Sequence, residues 1–520
     1  MKAPSCEFTW QIVDREALFK HMAFSTPLPS IRISRNGIEA QGSFAEAQAA
    51  YLTPDSATVC ELEGLLRLKG LGVVAHYYMD PELQGVLMAL NWPFVHIADS
   101  LSMAEKALAM VDGSLGHPPA QGVVVLGVDF MSESVRLTLL RAGYGHIPVY
   151  RVRADPIGCS LAEAAEGPSY LAFLEKAARR PRSLHVIYVN TSLRTKAEAQ
   201  RRLPTITVTS SNVVRTVLAA FAEIPGVEVF FGPDTYMGRN IASLFRHLIE
   251  LGDEAVQRIH PAHNAKTLAN ALERFHVFPG GHCIVHHQFD SRIAEYIRKE
   301  CNHALIAAHL EVPGEMFELA LERQHEGRGV VGSTSDILAF ITRTVQSAIF
   351  AQQKGVLSFV LATESGMTAS IVGAVRKLLR AHPDADLSCE ILFPVAKEAI
   401  HRGDTKQEAT LKVLPGAPSS EGCSLGGGCA TCPYMKMNSL DALFELLRML
   451  PSDGKVPSFV GSYAALVRVP QEQVETLSLL ASEPIAHMRA FQSTGHIPES
   501  LRRAVLERPL GQEFLGLDSP

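Results

Sequence analysis

The densest chemistry in this chain lies in residues 423–438, CSLGGGCATCPYMKMN, which hold three of its nine cysteines. The three glycines at 426–428 free the backbone to wrap closely around a bound group. Cys432 stands directly before Pro433 and a helix-like apolar run, Met435–Leu447. Proline suits a first helical turn, so the thiol is expected near a helix N-terminus, where the dipole favours the metal-binding thiolate. The pair Cys429-x2-Cys432 alone reads as a zinc half-site or a redox pair, and buried thiols packing as small hydrophobes give the same spacing. The positions of the other cysteines decide between these readings.

The elements that must position them follow one grammar. A helix, Thr58–Lys69, leads into a strand, Gly72–Ala75, whose end delivers His76, Tyr77, Tyr78 and the cap pair Asp80-Pro81. In open parallel sheets ligands bind at that end of the strands. Strand Phe94–Ala98 delivers Asp99 and Ser100 ahead of a helix starting near Met103, and Gly122–Leu126 delivers Asp129 before a helix Ser132–Ala142. A short strand, Pro148–Val152, then brings the chain to Cys159. The pattern restarts with Leu184–Val189, Thr205–Val208 and Val227–Phe231, which deliver Tyr188, Asn190, Ser210 and Asp234, and it reaches Cys283 and His286 after a helix Arg239–Ile249. A third round, Ala304–Ala308, Gly329–Val331 and Ser358–Ala362, delivers His309, Glu311, Thr334, Thr363 and Glu364 and closes at Cys432. Three rounds of strand, polar mouth and helix make an internal triplication with a period of about 110–130 residues.

Cys159, Cys283 and Cys432 therefore occupy one place in three equivalent units, and a pseudo-threefold arrangement would bring one thiolate from each to a common centre. Cys6, Cys60, Cys301, Cys389, Cys423 and Cys429 share no such register; Cys301 and Cys389 read as packing residues. Soft thiolates select zinc or an iron–sulfur cluster. Three cysteines suffice for a 4Fe–4S cluster with one iron left open as a Lewis acid; zinc with three thiolates and a water is the competing reading. Ser100, Ser210 and Thr334 at helix starts suit carboxylate or phosphate, or are ordinary N-caps. His76, His286 and His309, with Glu311 and Tyr78, suit proton transfer, or each histidine is a satisfied buried side chain.

Composition narrows the field. The 520 residues allow about three domains. With 47% apolar and 20% charged residues the chain has the make-up of a globular enzyme. A net charge of −6 leaves no basic footprint for nucleic acid. No apolar run reaches the roughly 18 residues of a spanning helix, and the N-terminus has no signal or transit composition. Nine scattered cysteines read as reduced thiols in an intracellular protein.

AHYYMDPELQ (75–84), ADSL (98–101), GCSLA (158–162), YVNTS (188–192), TSSN (209–212), CIVH (283–286), GSTS (332–335) and CPYMKMN (432–438) together resemble the quinolinate synthase family over roughly residues 60–440. AAHLEVPGEM (307–316), FGPDTYM (231–237) and EPIAHMR (483–489) resemble its plant-type branch. The resemblance implies an α/β fold of three pseudo-threefold-related αβα domains around a central 4Fe–4S cluster. Expected boundaries are a lead-in over 1–57, domains over 58–157, 158–281 and 282–432, and a helical extension over 433–520. It implies condensation of iminoaspartate with dihydroxyacetone phosphate to quinolinate, phosphate and water in NAD biosynthesis. Cys159, Cys283 and Cys432 match the cluster ligands. His76, Ser100, Tyr188, Asn190, Ser210, His286, His309, Glu311 and Thr334 match substrate-contacting positions, and Tyr78 a catalytic tyrosine acting with His76, His309 and Glu311. Two departures stand out: the bacterial His-Pro-Glu is His309-Leu310-Glu311 here, and Gly-Thr-Glu is Ala362-Thr363-Glu364. Plant enzymes of this type carry a transit peptide and a sulfur-transfer domain, neither of which is recognised here, so the cytoplasm is the expected location and a plastid the alternative. Expected partners are the two small substrates, L-aspartate oxidase in transient contact and a second copy in a homodimer, with no nucleic acid and no membrane. Rival readings are a zinc-thiolate lyase and a non-catalytic metal or redox sensor built on Cys429 and Cys432.

Overall fold

A computed structural model describes residues 28–394, 431–451, 458–466 and 471–508. Apolar runs bounded by glycine and polar caps become fourteen strands among the described residues. The first two are β1 (Ser30–Ile33) and β2 (Ile38–Gln41). Then follow β3 (Leu71–His76), β4 (Val95–Ala98), β5 (Gly122–Leu126) and β6 (Val149–Arg151). The next group is β7 (Ser183–Tyr188), β8 (Thr205–Val208), β9 (Glu228–Gly232) and β10 (Phe275–Val277). The last is β11 (Leu305–His309), β12 (Gly329–Gly332), β13 (Gly355–Ala362) and β14 (Leu387–Leu392).

These strands form three sheets, ordered β4-β3-β5-β6, β8-β7-β9-β10 and β12-β11-β13-β14, the last extended by β1 and β2. In each the four strands run in the order second, first, third, fourth, so the repeat read from polar mouths is also a repeat of topology. Pairings such as β7 with β8 and β9 or β11 with β12 and β13 are parallel, whereas β1 joins β14 and β2 antiparallel. Parallel strands need crossovers, and helices such as Asp129–Arg141, Leu193–Arg202 and Thr334–Phe350 supply them. The molecule is an α/β protein of layered parallel sheets and helices.

The chain falls into two compact units, one of residues 1–68, 76–99 and 284–448, the other of residues 69–75, 100–283 and 449–520. In the first, β1 does more than lead in: it pairs antiparallel with β14, and Ser30 donates to the buried Glu390 carboxylate at 3.0 Å. The Phe8–Val13 run lies outside the described residues. In the second, Tyr170, Leu174, Ile187, Phe230 and Phe278 make a buried cluster, in which each apolar side chain contributes about 1.5–3 kcal/mol. There the 21-residue helix Val474–Thr494 packs on Leu193–Arg202 and β8. Pro484 sits inside that helix and is buried.

Some helix starts differ from the expected ones. The helices begin at Ser100, Asp129 and Thr235, earlier than the apolar runs suggested, because the polar mouth residues form the first turn. Cys432 is not followed at once by an α-helix. A single 3-10 turn, Met435–Met437, comes first, and the helix proper is Leu440–Met449. Cys283 has the same local design, with a 3-10 turn at His286–Gln288 starting three residues on. Only Cys159 directly caps an α-helix, Ser160–Glu166.

Candidate active site

In the first unit, the strand ends of β3, β11 and β13 deliver His76, His309 with Glu311, and Thr363 with Glu364, all less than 9% exposed. His286 joins them from its 3-10 turn and is fully buried. Its Nδ1 lies 3.0 Å from a Glu311 carboxylate oxygen and its Nε2 lies 3.1 Å from the Thr363 hydroxyl. That hydroxyl in turn lies 3.2 Å from the Tyr78 phenol. With Glu311 ionised, one placement of hydrogens satisfies every contact: Tyr78 O–H donates to Thr363, Thr363 O–H to Nε2, and Nδ1–H to Glu311. The result is a four-member path along which a proton can pass between a phenol and a carboxylate. His309 stacks on His286 with ring centres 4.6 Å apart.

His76 and His309 share a device. The N–H two residues on, that of Tyr78 and of Glu311, donates to the imidazole Nδ1 at 3.2 and 3.3 Å. The ring hydrogen of each neutral imidazole is therefore on Nε2, which is left to donate. Leu310 N–H donates to Gly332 O at 3.1 Å, a bond that the bacterial proline would lack. Burial lowers the His76 pKa to about 4, opposed by the Asp99 and Glu311 charges. Burial likewise lowers His309 to about 3, with Glu311 opposing and the other histidines assisting. Both rings are neutral near pH 7. An unfolded imidazole titrates near 6.5, so below that pH the unfolded chain binds protons that the folded one refuses. Stability is thus complete above about pH 6.5 and is lost as pH falls towards 4 and then 3. The thermal midpoint is expected to drop between pH 7 and pH 5, and less steeply in His309→Asn. An equal slope in that variant would contradict the assignment.

Sequence reasoning gave no role to Gln84 or Glu364. The fully buried Gln84 amide donates among Tyr77 O, Met79 O and Gly366 O at 2.6–2.9 Å, tying the His76 loop to the end of β13. A Cβ on Gly366 would lie 2.8 Å from Met79 O and 2.9 Å from Tyr77 O, so only glycine fits there. Glu364 accepts from Gly366 N–H at 2.8 Å and from Cys432 N–H at 3.2 Å, which holds the Cys432 loop in place. Burial drives the Glu364 pKa well up, against those hydrogen bonds. The signal available in sequence was the position of Thr363 and Glu364 at a strand mouth.

The second unit holds Ser100, Cys159, Tyr188, Asn190, Ser210 and Cys283. The Ser160 hydroxyl, next to Cys159, donates at 3.1 Å to the carbonyl of His282, next to Cys283, so these two cysteine loops touch. Arg151, 2% exposed, anchors the approach to Cys159: it pairs with Asp129 at 2.6 Å and donates to Ala154 O and Asp155 O. Cys159, Cys283 and Cys432 are half-buried and outside any disulfide, whereas Cys301 and Cys389 are buried and Cys60 is exposed. Burial raises the Cys301 thiol to about 11 and Cys389 further, keeping both protonated. Cys6, Cys423 and Cys429 lie outside the described residues.

None of the three hydroxyl residues sits at the N-cap position: Ser100 is itself the first residue of its helix. Ser333, not Thr334, caps the helix Thr334–Phe350, in a capping box with Asp336. Ser210 lies ahead of the helix that starts at Val213. Both hydroxyls are spared by the fold. Ser210→Ala and Thr334→Ala are expected to weaken binding of an anionic substrate by about 1.5–3 kcal/mol. Substrate affinity equal to that of the parent protein would show these side chains to be bystanders.

Parallel sheets whose strand ends carry buried histidines, carboxylates and hydroxyls in hydrogen-bonded series define an α/β enzyme. A family model described as quinolinate synthetase A protein matches residues 61–467, and the chain belongs to that family of enzymes. Quinolinate synthase, chloroplastic, of Nicotiana tabacum is 48% identical over 490 residues, covering 92% of this chain and 67% of its own length. The protein of the same name from Arabidopsis thaliana is 46% identical over 489 residues, with the same 92% and 67% coverage. Quinolinate synthase of Cyanothece sp. is 24% identical over 418 residues, 80% of this chain and 88% of its own. The chain thus spans about two thirds of the length of these plant relatives. They are chloroplastic by name, so the comparisons lend no support to the expected cytoplasmic location. Among the described residues no helix is long and apolar enough to cross a membrane.

Proposed function

We propose that the chain condenses iminoaspartate with dihydroxyacetone phosphate to quinolinate, releasing phosphate and water, as a step of NAD biosynthesis in a plastid. The observation that carries this reading is the path from Tyr78 through Thr363 and His286 to Glu311. Closing a pyridine ring from an imine and a carbonyl requires repeated proton transfers as enamine forms and water leaves. Tyr78 donates or takes these protons at the substrate, and Glu311 stores them, with His286 and Thr363 between. His76 and His309, neutral and donating through Nε2, hold developing negative charge on oxygen. The hydroxyls of Ser100, Ser210 and Thr334, with Asn190 and Tyr188, hold carboxylate and phosphate.

Cys159, Cys283 and Cys432 would hold a 4Fe–4S cluster. The donor set fits: three half-buried thiols outside disulfides, two of them on touching loops and the third backed by Glu364. When bound, such a cluster supplies a Lewis acid at the iron lacking a cysteine, suited to loss of a hydroxyl. Soft sulfur donors suit zinc as well as an iron–sulfur cluster, and loading with each metal in turn separates the two. L-aspartate oxidase as a transient supplier of iminoaspartate and a homodimeric state remain part of this reading. The test is to incubate the anaerobically reconstituted protein with both substrates. Quinolinate and phosphate should appear in equal amounts; phosphate without quinolinate would overturn it.

A further inference from the structure

The second unit contains a buried charge that the reaction scheme above does not use. Lys196 is 1% exposed, on the helix Leu193–Arg202 that follows β7. An ammonium so far from water costs several kcal/mol unless its hydrogens are matched. Its Nζ donates to Val189 O at 3.0 Å and to Thr191 O, and it lies 5.8 Å from the Phe130 ring centre. Those two carbonyls flank Asn190. Thr191 N–H also donates to Val189 O at 2.7 Å, which closes a three-residue turn with Asn190 at its apex. The Thr191 hydroxyl closes the turn from the other side, donating to Tyr188 O at 3.0 Å. Asn190 is not in the left-handed region, so the turn asks for no special residue there.

The counter-charge is Glu133, 7% exposed, whose carboxylate accepts from Leu193 N–H at 2.7 Å, at the start of the lysine's own helix. Burial drives the Glu133 pKa up and the Lys196 pKa down, and the attraction of each for the other opposes that. The Cys159 sulfur also favours the charged ammonium. Glu133 sits four residues after Asp129, which holds the Arg151 clamp of the Cys159 loop. One helix, Asp129–Arg141, thus offers one carboxylate to each loop.

We propose that Lys196 is a positioning residue: its buried ammonium, donating to the carbonyls on either side of Asn190, staples the turn that presents Asn190 to a substrate oxygen. A side chain at the apex of a three-residue turn swings with the two peptide planes beside it. Fixing both carbonyls to one cation removes that freedom before substrate arrives. The proposal rests on the reading of Asn190 as a substrate contact, but the conformation of the turn can be measured without it.

The experiment compares the reconstituted parent protein with Lys196→Met, Lys196→Met/Glu133→Gln, Asn190→Ala and Lys196→Met/Asn190→Ala. The Glu133→Gln partner removes the buried carboxylate charge that Lys196→Met would otherwise leave without a nearby cation. Hydrogen exchange over residues 189–193, without substrate, should accelerate in both Lys196 variants, with unchanged iron content. Their KM should rise on the order of 10- to 100-fold with kcat little altered, and Lys196→Met should add nothing to Asn190→Ala. Unchanged exchange in the turn would overturn the staple, whatever the activity. A return to the parent KM on adding Glu133→Gln would also overturn it, since it would leave only charge neutralisation. If the parent protein makes no quinolinate, the functional reading falls while the exchange result still judges the staple.

Discussion

Serine in place of Cys159, Cys283 or Cys432 is expected to abolish assembly of the iron–sulfur cluster, measured as iron and sulfide per chain after anaerobic reconstitution. Each of these residues is half-buried, outside any disulfide, and stands where one round of the repeated topology ends. With three protein ligands, losing one leaves two irons without a thiolate, and a serine hydroxyl is too hard and too weakly acidic to replace it. Cys301→Ser should retain the parent iron content, because burial holds that thiol protonated with a pKa of about 11. Cys423→Ser and Cys429→Ser should retain it as well. A full cluster in any of the first three variants would sink the ligand assignment, and loss of the cluster in Cys429→Ser would revive the reading of Cys429 and Cys432 as a metal pair.

Thr363→Val should lower turnover by about 10²–10⁴-fold while leaving the cluster intact. Valine matches threonine in shape but removes the one hydroxyl that joins Tyr78 to His286. Some stability goes too, about 1–3 kcal/mol, because the fully buried Nε2 of His286 loses its partner. Thr363→Ser restores the hydroxyl and should recover most of the rate. Tyr78→Phe should cost as much as Thr363→Val, and the double variant little more, since members of one path fail together. Additive losses would mean that the two residues act separately.

Apolar runs such as Gly122–Leu126 and Thr205–Val208 were legible in sequence as strands with those same bounds. The polar residues after them were legible as mouth residues, because a buried parallel strand leaves chemistry only at its ends. β14 was not, since Ser388, Cys389 and Glu390 break its apolar run. Its glutamate is held by Ser30 and Ser358, which donate to it, and by Arg32 at 3.9 Å, and Ser30 lies 360 residues away. The short β10 escaped notice for want of length. Spacing exposed the candidate cysteines and histidines but not what connects them. The bond from Tyr78 to Thr363 closes 285 residues of chain, and no local pattern announces it. Lys196 and Glu133 belong to no motif in the sequence, and only their burial marks them.

The most direct test of the account loads the apoprotein with iron and sulfide in increasing amounts under anaerobic conditions, and with zinc in parallel, and measures quinolinate formed from iminoaspartate and dihydroxyacetone phosphate. Activity should rise in proportion to bound iron and sulfide up to four of each per chain. The zinc-loaded protein should stay inactive. Quinolinate formed by the zinc form, or by apoprotein free of iron, would contradict the claim that the three cysteines serve catalysis through an iron–sulfur cluster.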